Sequence, residues 1–324
     1  MTRLSEEAVD AIARQVLDRL NGVAPTDTSA IQPAQVESLA REGALPAGVF
    51  RTIDDCVAAA RTAFAEFSQI GLERRKEIVA SIRESMFANA ISLARDAREE
   101  TGLGRVEDKI IKNRLVTRKT PGPEILEPRA VSGDNGLMIM ERAPFGVVAA
   151  ITPTTNPTST IICNTIGMIS AGNTVVFNVH PNAKGVSCRN VGLINEAIMR
   201  AGGPPNVVTA MAKPTIESAQ ALMRHKNIRL LVVTGGPGVV KAAMGSGKRA
   251  ICAGPGNPPV VVDETATIDK AGADIVKGAS FDNNVICTDE KEVFVVESVA
   301  DRLLKAMAAS FAWRSRPRPT VSTP

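Results

Sequence analysis

From residue 146 onward, short apolar runs alternate with segments of helical periodicity, and this alternation constrains the fold more than any other feature. Such alternation predicts a parallel sheet covered by helices on both faces, because parallel strands need a crossover between them. The strand-like runs are residues 146–151, 174–177, 206–211, 228–234, 259–263 and 293–297. The helix-like runs are residues 158–171, 184–201, 214–225, 237–245, 268–279 and 299–308. The sequence therefore predicts an α/β fold.

The chain before this region carries fewer periodic signals. Residues 5–20 place four aliphatic side chains at spacings of three and four, which predicts an amphipathic helix. Residues 21–40 contain Gly, Pro, Ser and Thr, and predict a flexible linker. Residues 72–100 repeat apolar side chains at helical spacing and predict one long helix, whereas the Pro- and Gly-rich residues 119–136 predict an extended crossing.

Charge and composition argue against two classes of partner. The formal net charge is +4, but residues 309–324 hold three arginines and no acid, so the rest of the chain carries +1. The chain has no tyrosine and nine phenylalanines, a poor supply of rings for stacking on bases. No apolar stretch is long enough to span a membrane. We therefore expect neither nucleic acid nor membrane as a partner, and a disordered tail at 309–324, where three prolines occur without periodicity.

The five cysteines are scattered, and none forms a CxxC pair. In a chain of enzyme size, an odd and scattered set indicates reduced thiols in the cytoplasm, with no disulfide framework and no zinc site. Cys163 and Cys188 lie in apolar helical patterns and are expected in the core. Cys287 differs, because it lies between a polar loop and a predicted strand.

Three segments could carry chemistry. Thr234, Gly235, Gly236 and Gly238 stand where a strand runs into a helix, so backbone N–H groups there could contact a phosphate; a tight turn explains them equally well. Cys287 could attack a carbonyl as its thiolate, or could be a partly buried structural cysteine. Asn156, in a loop after a strand, could donate to a developing oxyanion, or could simply form a turn before Pro157.

Taken together, five segments resemble the aldehyde dehydrogenase superfamily, and within it the coenzyme-A-acylating propionaldehyde and acetaldehyde dehydrogenases of bacterial microcompartments. They are PTTNPTS at 153–159, HPNAK at 180–184, TGGPGVVKAA at 234–243, GPGNPPVVVD at 254–263 and NNVICTDEKEV at 283–293. The resemblance covers residues 40–308. It implies a Rossmann-like NAD domain at 41–263, an incomplete α/β catalytic domain beginning at 264–308, and an oligomerisation strand near 136–143.

The resemblance also implies roles for individual residues. Cys287 is the expected nucleophile, and Asn156 with the Cys287 backbone N–H is expected to stabilise the oxyanion. NAD is the expected hydride acceptor, coenzyme A the co-substrate and a short-chain aldehyde the substrate. The residues expected to border NAD are Thr152, Pro153, Thr154, His180, Thr234, Gly235, Gly236 and Gly238. Asn178 departs from the pattern, because many family members have a lysine there.

One absence favours acyl transfer over hydrolysis. Residues 251–262 contain no Asp or Glu, where hydrolytic family members usually carry a glutamate base. A deacylating water would lack that base, whereas the thiol of coenzyme A is the better nucleophile near neutral pH.

Family members continue well beyond the strand at 293–297, so the chain resembles a C-terminally truncated member. Two main hypotheses follow: a working acylating dehydrogenase, or an inactive relative that binds only a shell or a nucleotide. Residues 5–20 resemble the helix that directs such enzymes into a microcompartment shell, with Val9, Ile12, Val16 and Leu20 as the contact stripe. A homo-oligomer inside a bacterial microcompartment is the expected state of the family.

Overall fold

The computed structural model describes residues 45–314, with the side chains described as far as Ser310. The strands are β1 (Val49–Phe50), β2 (Arg129–Gly133), β3 (Gly136–Met140), β4 (Val147–Ile151), β5 (Thr174–Asn178), β6 (Val208–Met211), β7 (Leu230–Thr234), β8 (Ala250–Ala253), β9 (Pro259–Val262) and β10 (Glu292–Val295). The helices are α1 (Ile53–Phe67), α2 (Leu72–Ala88), α3 (Ala90–Thr101), α4 (Val106–Lys119), α5 (Pro157–Ser170), α6 (Lys184–Arg200), α7 (Ile216–Arg224), α8 (Pro237–Met244), α9 (Ile268–Ala279) and α10 (Glu297–Arg314).

Six parallel strands form the main sheet, in the order β1-β6-β5-β4-β7-β8. The two central strands, β4 and β5, are buried along their whole length, as expected for strands covered on both faces. Neighbouring residues of β5 pack on opposite faces of the sheet: Phe177 lies in one hydrophobic cluster and Val176 in the other. Helices α2, α3, α5 and α6 contribute to the first cluster, α7 and α8 contribute to the second, and α1 contributes to both. The predicted α/β fold is confirmed.

A smaller layer follows the main sheet. β9 pairs in parallel with β10, and Val262 packs with Ile268, Ile275, Val299 and Leu303 in a third hydrophobic cluster. Strand β9 belongs to this layer because it pairs with β10, although the sequence predicted residues 259–263 as the end of the NAD domain. The boundary drawn between 263 and 264 therefore falls after the first strand of the second sheet.

All six predicted strands and all six predicted helices of the region after residue 146 are present. The long helix expected at 72–100 is two helices, α2 and α3, which meet at Asn89. The side-chain Nδ2 of Asn89 donates to the carbonyl of Ser85 at 2.9 Å, so the amide competes with the helical backbone. The spacing of apolar residues continues through Asn89, so the periodic pattern did not reveal the break between the two helices.

Five elements were absent from the sequence prediction: helices α1 and α4 and strands β1, β2 and β8. Residues 129–140 form an antiparallel hairpin, in which β2 replaces part of the extended crossing expected at 119–136 and β3 lies within the strand expected near 136–143. All ten residues of its two strands are exposed.

The disordered tail expected at 309–324 was wrong for residues 309–314, because α10 continues to Arg314. Those residues include Ala, Ser, Phe and Trp, and the first proline of the tail comes only at 317, so nothing there stops helix propagation. The helix predicted at 5–20 and the linker at 21–40 lie outside the described residues, as does the tail after 314. None of the helices within residues 45–314 is long and apolar enough to cross a membrane.

Candidate active site

The strand order places two of the predicted segments beside one another. Chain order runs outward from β4 through β5 to β6, and then returns to β7 on the other side of β4. Ligands of doubly wound sheets bind where the order reverses, at the carboxyl ends of the strands. Here those ends are Ile151 of β4 and Thr234 of β7, on adjacent strands. The loops beginning at Thr152 and at Gly235 therefore open on the same crevice.

Several groups at this crevice suit a dinucleotide. The buried hydroxyl of Thr152 has no hydrogen-bond partner among the described residues, so it has a donor and acceptor to offer a ligand. Gly236 and Gly238 are exposed, and a Cβ at either position would meet open space. Within the described chain no side chain caps the N-terminus of α8, which leaves its first N–H groups available to a phosphate. Pro153 and Thr154 are half-buried in the adjoining loop.

The polar side chains at the end of β5 bond within the protein, and so offer fewer groups to a cofactor than the sequence suggested. Asn178 is buried, and its Oδ1 accepts from the Ser218 hydroxyl at 2.6 Å, so its amide joins β5 to α7. His180 is half-buried two residues further on, and its Nδ1 accepts from the backbone N–H of Asn182 at 3.2 Å. His180 thus caps the short turn at Pro181–Ala183, and contact with a cofactor stays a prediction for it.

Asn156 lies at the end of the loop after β4, immediately before Pro157 opens α5. Its side chain does not cap that helix, as an ordinary turn residue would. Instead its Oδ1 accepts from Nζ of Lys112 at 2.5 Å, and its Nδ2 donates to Oγ1 of Thr155 at 3.0 Å. The amide is therefore held from both ends by side chains.

Cys287 lies in the loop between the turn at Phe281–Asn284 and β10, and it is half-buried. Two other thiols are poor nucleophiles, because burial raises the pKa of Cys56 to about 12 and that of Cys188 to about 11. Cys188 is in the core as predicted, while Cys163 is only half-buried.

The segment without acids packs directly on Cys287. A Cβ at Gly256 would overlap the Cys287 carbonyl group, lying 2.9 Å from its carbon. The side chain of Gly256 is therefore limited to hydrogen by this contact. Since residues 251–262 contain no Asp or Glu, the part of this segment that touches the Cys287 backbone brings no carboxylate with it.

A buried group of charges on α4 was not predicted from the sequence. Lys109 and Lys112 both donate to Oδ2 of Asp282, at 3.1 and 2.5 Å, and all three side chains are almost completely buried. The outward face of the same helix carries Ile111 and Leu115, which are 49% and 53% exposed. The sequence does contain a pattern for this buried face, because four polar residues recur at helical spacing: Asp108, Lys109, Lys112 and Asn113. A charged stripe on a helix usually indicates a solvent-exposed face, so the pattern alone did not predict burial.

Asp282 has an unusual backbone. It and the next two residues, Asn283 and Asn284, have φ values of 46°, 57° and 59°, in the left-handed region. Asp and Asn tolerate this region better than other non-glycine residues, so the letters DNN were a local signal for the turn. The turn directs the Asp282 carboxylate toward α4, five residues before Cys287.

The fold thus connects the two predicted catalytic segments through α4. Lys112 donates to Asn156 on one side and to Asp282, at the start of the Cys287 loop, on the other. Burial, followed by the neighbouring charge of Lys109, lowers the pKa of Lys112, and Asp282 opposes that change. Among the described residues, no group of three or more His, Cys, Asp or Glu side chains could hold a metal ion.

Comparison with known proteins gives a consistent result. Residues 24–315 match the aldehyde dehydrogenase family. The chain is 53% identical over 266 residues to the acetylating acetaldehyde dehydrogenase EutE of Escherichia coli (strain K12), covering 82% of this chain and 56% of that protein. It is 45% identical over 260 residues to the CoA-propanoylating propanal dehydrogenase of Salmonella typhimurium, covering 80% of this chain and 56% of that protein.

Solved structures agree with these relatives. A propionaldehyde dehydrogenase from the fucose utilisation microcompartment of Clostridium phytofermentans superposes with a TM-score of 0.78 at 50% identity, over 81% of this chain and 60% of that one. A propionaldehyde dehydrogenase of Rhodopseudomonas palustris, with bound CoA and an acylated cysteine, gives the same TM-score and identity over the same shares. The chain spans a little over half the length of these two curated relatives.

Proposed function

Since the chain belongs to the aldehyde dehydrogenase family, we propose that it converts a short-chain aldehyde, propionaldehyde or acetaldehyde, into an acyl-CoA with NAD and coenzyme A. The contact between Gly256 and the Cys287 carbonyl carries the proposal, because it sets a segment without carboxylates against the proposed nucleophile. The curated relatives are acylating enzymes by name, which supports the same chemistry.

The proposed reaction begins with the thiolate of Cys287. It attacks the aldehyde carbonyl carbon, and the carbonyl oxygen becomes an oxyanion that accepts from Nδ2 of Asn156 and the Cys287 backbone N–H. Loss of a hydride from the former carbonyl carbon leaves a thioester on Cys287. NAD supplies the acceptor for that hydride when it is bound at the crevice bordered by Thr152 and Gly236.

The second half of the reaction transfers the acyl group. The thiolate of coenzyme A attacks the thioester carbonyl, the bond to Sγ of Cys287 breaks, and the Cys287 thiolate is regenerated. Hydrolysis would need a base to activate water. No Asp or Glu in residues 251–262 is available for that role, so we expect thiol acceptors to outcompete water.

Acylation of the enzyme by propionyl-CoA tests this without NAD. Intact-protein mass spectrometry should detect one propionyl group on the wild-type chain and none on Cys287→Ala. The adduct should persist in buffer and disappear when free coenzyme A is added. Hydrolysis in buffer as fast as transfer to coenzyme A would contradict acyl transfer as the function. A folded chain that never acquires the adduct would favour the alternative, an inactive relative that binds only a shell or a nucleotide.

We further propose that residues 5–20 bind a microcompartment shell protein, and that the enzyme resides inside a bacterial microcompartment in the cytoplasm. The support is the aliphatic stripe of that segment and the microcompartment origin of a structural relative. Residues 1–22 fused to a fluorescent protein should form puncta in cells that make shells. Val9→Glu should disperse them, whereas Arg14→Glu, on the polar side, should not. Equal behaviour of the two variants would reject the stripe as the contact.

The exposed β2–β3 hairpin supports a proposal of self-association. Leu137, Met138 and Ile139 are all more than half exposed, and the hairpin carries them outside every hydrophobic cluster of the described chain. We propose that residues 136–143 contact a second copy of this chain in a homo-oligomer. Sedimentation of wild type and Ile139→Lys should reveal a smaller species for the variant; identical sedimentation would reject this contact.

A further inference from the structure

The geometry around Lys112 points to a positioning role in the proposed reaction: we propose that Lys112, fixed by Asp282, orients the Asn156 amide so that one N–H is directed to the oxyanion. This inference rests on the proposed function for its chemistry. Lys112 and Asp282 touch neither substrate nor cofactor in the proposal, and act only through Asn156.

The carbonyl end of the Asn156 amide faces Lys112. An ammonium group has three donors and no acceptor, so the Asn156 atom 2.5 Å from Nζ has to be the carbonyl oxygen. The NH₂ group therefore points away from Lys112. One of its two N–H bonds is used by Oγ1 of Thr155 at 3.0 Å. One N–H remains, and its direction is set by the other two contacts.

Asp282 holds Lys112 in place, and is itself held by its neighbours. Oδ2 of Asp282 accepts from Lys112, while Oδ1 accepts from the backbone N–H of Arg105 at 2.7 Å. The N–H of Asp282 donates to Oδ2 of Asp108 at 3.0 Å. Gly104 leaves no room on the other side, because a Cβ there would overlap the Asp282 carboxylate. Asp282 is thus immobilised at both its backbone and its carboxylate.

The charge of Lys112 also favours an oxyanion beside Asn156. Two buried lysines share the carboxylate of Asp282, and the charge of the buried Asp289 also acts on Lys112. Negative charge that develops on an oxyanion beside Asn156 would interact favourably with the Lys112 ammonium, at a site of low dielectric constant where such interactions are strong. An ammonium bound to the amide oxygen also polarises the amide and makes its N–H a better donor.

The test compares two reactions of Cys287. Acylation by propionyl-CoA passes through a tetrahedral oxyanion, whereas alkylation by iodoacetamide displaces iodide from an sp³ carbon and forms none. We expect Lys112→Met to slow acylation about tenfold to hundredfold, as loss of an aligned donor does, and to change the alkylation rate less than about twofold. Lys112→Met leaves Lys109 and Asp282 as a neutral pair, which favours a folded variant. Lys112→Arg, which keeps a cationic donor, should retain more acylation than Lys112→Met.

Two controls separate positioning from structure. Lys109→Met also removes one ammonium group that donates to the Asp282 carboxylate. Lys109 donates to the backbone carbonyl of Thr155 and not to Asn156, so the Lys109→Met variant should slow acylation less than Lys112→Met does. In the Asn156→Ala background, Lys112→Met should cause no further slowing. Equal slowing in both backgrounds, equal slowing of alkylation, or no slowing at all would overturn the proposal.

An independent measurement does not need the reaction. The side-chain amide resonances of Asn156, assigned by their loss in Asn156→Ala, should shift in Lys112→Met and shift less in Lys109→Met. Absence of wild-type acylation together with these shifts would refute the proposed function and retain the positioning. Normal wild-type acylation with unshifted resonances would refute the positioning alone.

Discussion

Gly256 offers a sharp test of the site, because its lack of a side chain is what lets residues 254–258 approach the Cys287 loop. A Cβ at position 256 would lie 2.9 Å from the carbonyl carbon of Cys287 and nearer still to the carbonyl oxygen. Carbon atoms in contact lie about 3.5 to 4.0 Å apart. Gly256→Ala therefore forces the two segments apart by roughly 0.6 Å or more at the carbonyl carbon.

This displacement has two expected consequences. Overpacking of this kind costs about 1–3 kcal/mol, so the free energy of unfolding measured by urea titration should fall by that amount. A misplacement approaching 1 Å can cost about a hundredfold in rate, and the Cys287 N–H is on the displaced loop. Acylation by propionyl-CoA, followed by mass spectrometry, should therefore slow by about tenfold to hundredfold.

Gly254→Ala is the matched control, since a Cβ at that position in the same segment would meet nothing within 4 Å. It should leave both stability and acylation close to the wild-type values. Gly256→Ala with a wild-type acylation rate would refute the packing of this segment on the nucleophile. Equal losses in both alanine variants would show that the segment is sensitive as a whole and would also refute the specific contact.

Three further predictions concern the cysteine thiols and two buried carboxylates. Iodoacetamide at neutral pH should label Cys287 before Cys56 and Cys188, whose pKa values burial raises to about 12 and about 11, and peptide mapping with either buried cysteine labelled first would contradict this. Asp282→Asn keeps a residue that tolerates positive φ but removes the carboxylate charge that pairs with two buried lysines, so urea titration should detect a loss of about 3–5 kcal/mol in the free energy of unfolding; a loss under about 1 kcal/mol would refute the pairing. Burial raises the pKa of Asp289 above 3.8, so the folded state binds the proton more tightly and the wild type loses stability as pH rises through that raised pKa. Asp289→Asn should lack that loss, so its melting temperature relative to wild type should increase from pH 3 to pH 7, and a constant difference would contradict the assignment.

The alternation of strands and helices was sufficient to predict the α/β fold, because each parallel strand needs a crossover and each element carries its own periodic pattern. The same local logic failed at Asn89, where one amide bonded to the Ser85 carbonyl interrupts an apolar stripe that continues on both sides. It also failed for β2, whose five exposed residues carry no alternation between a buried and a solvent face. A periodic pattern of apolar residues arises where one face of an element is buried, so it cannot predict an element that is exposed on every face.

The sequence by itself also supplied the proposal of Cys287 as nucleophile and Asn156 as oxyanion donor, because the short segments around them resemble those of the family. Only the tertiary structure decided how those segments are joined. On α4 the buried side is the charged one, and Lys112 is stable there only because Asp282, far away in the chain, supplies the opposite charge. A pattern read along one helix cannot contain that partner. Burial of a charge depends on which distant group faces it, and the fold alone brings the two together.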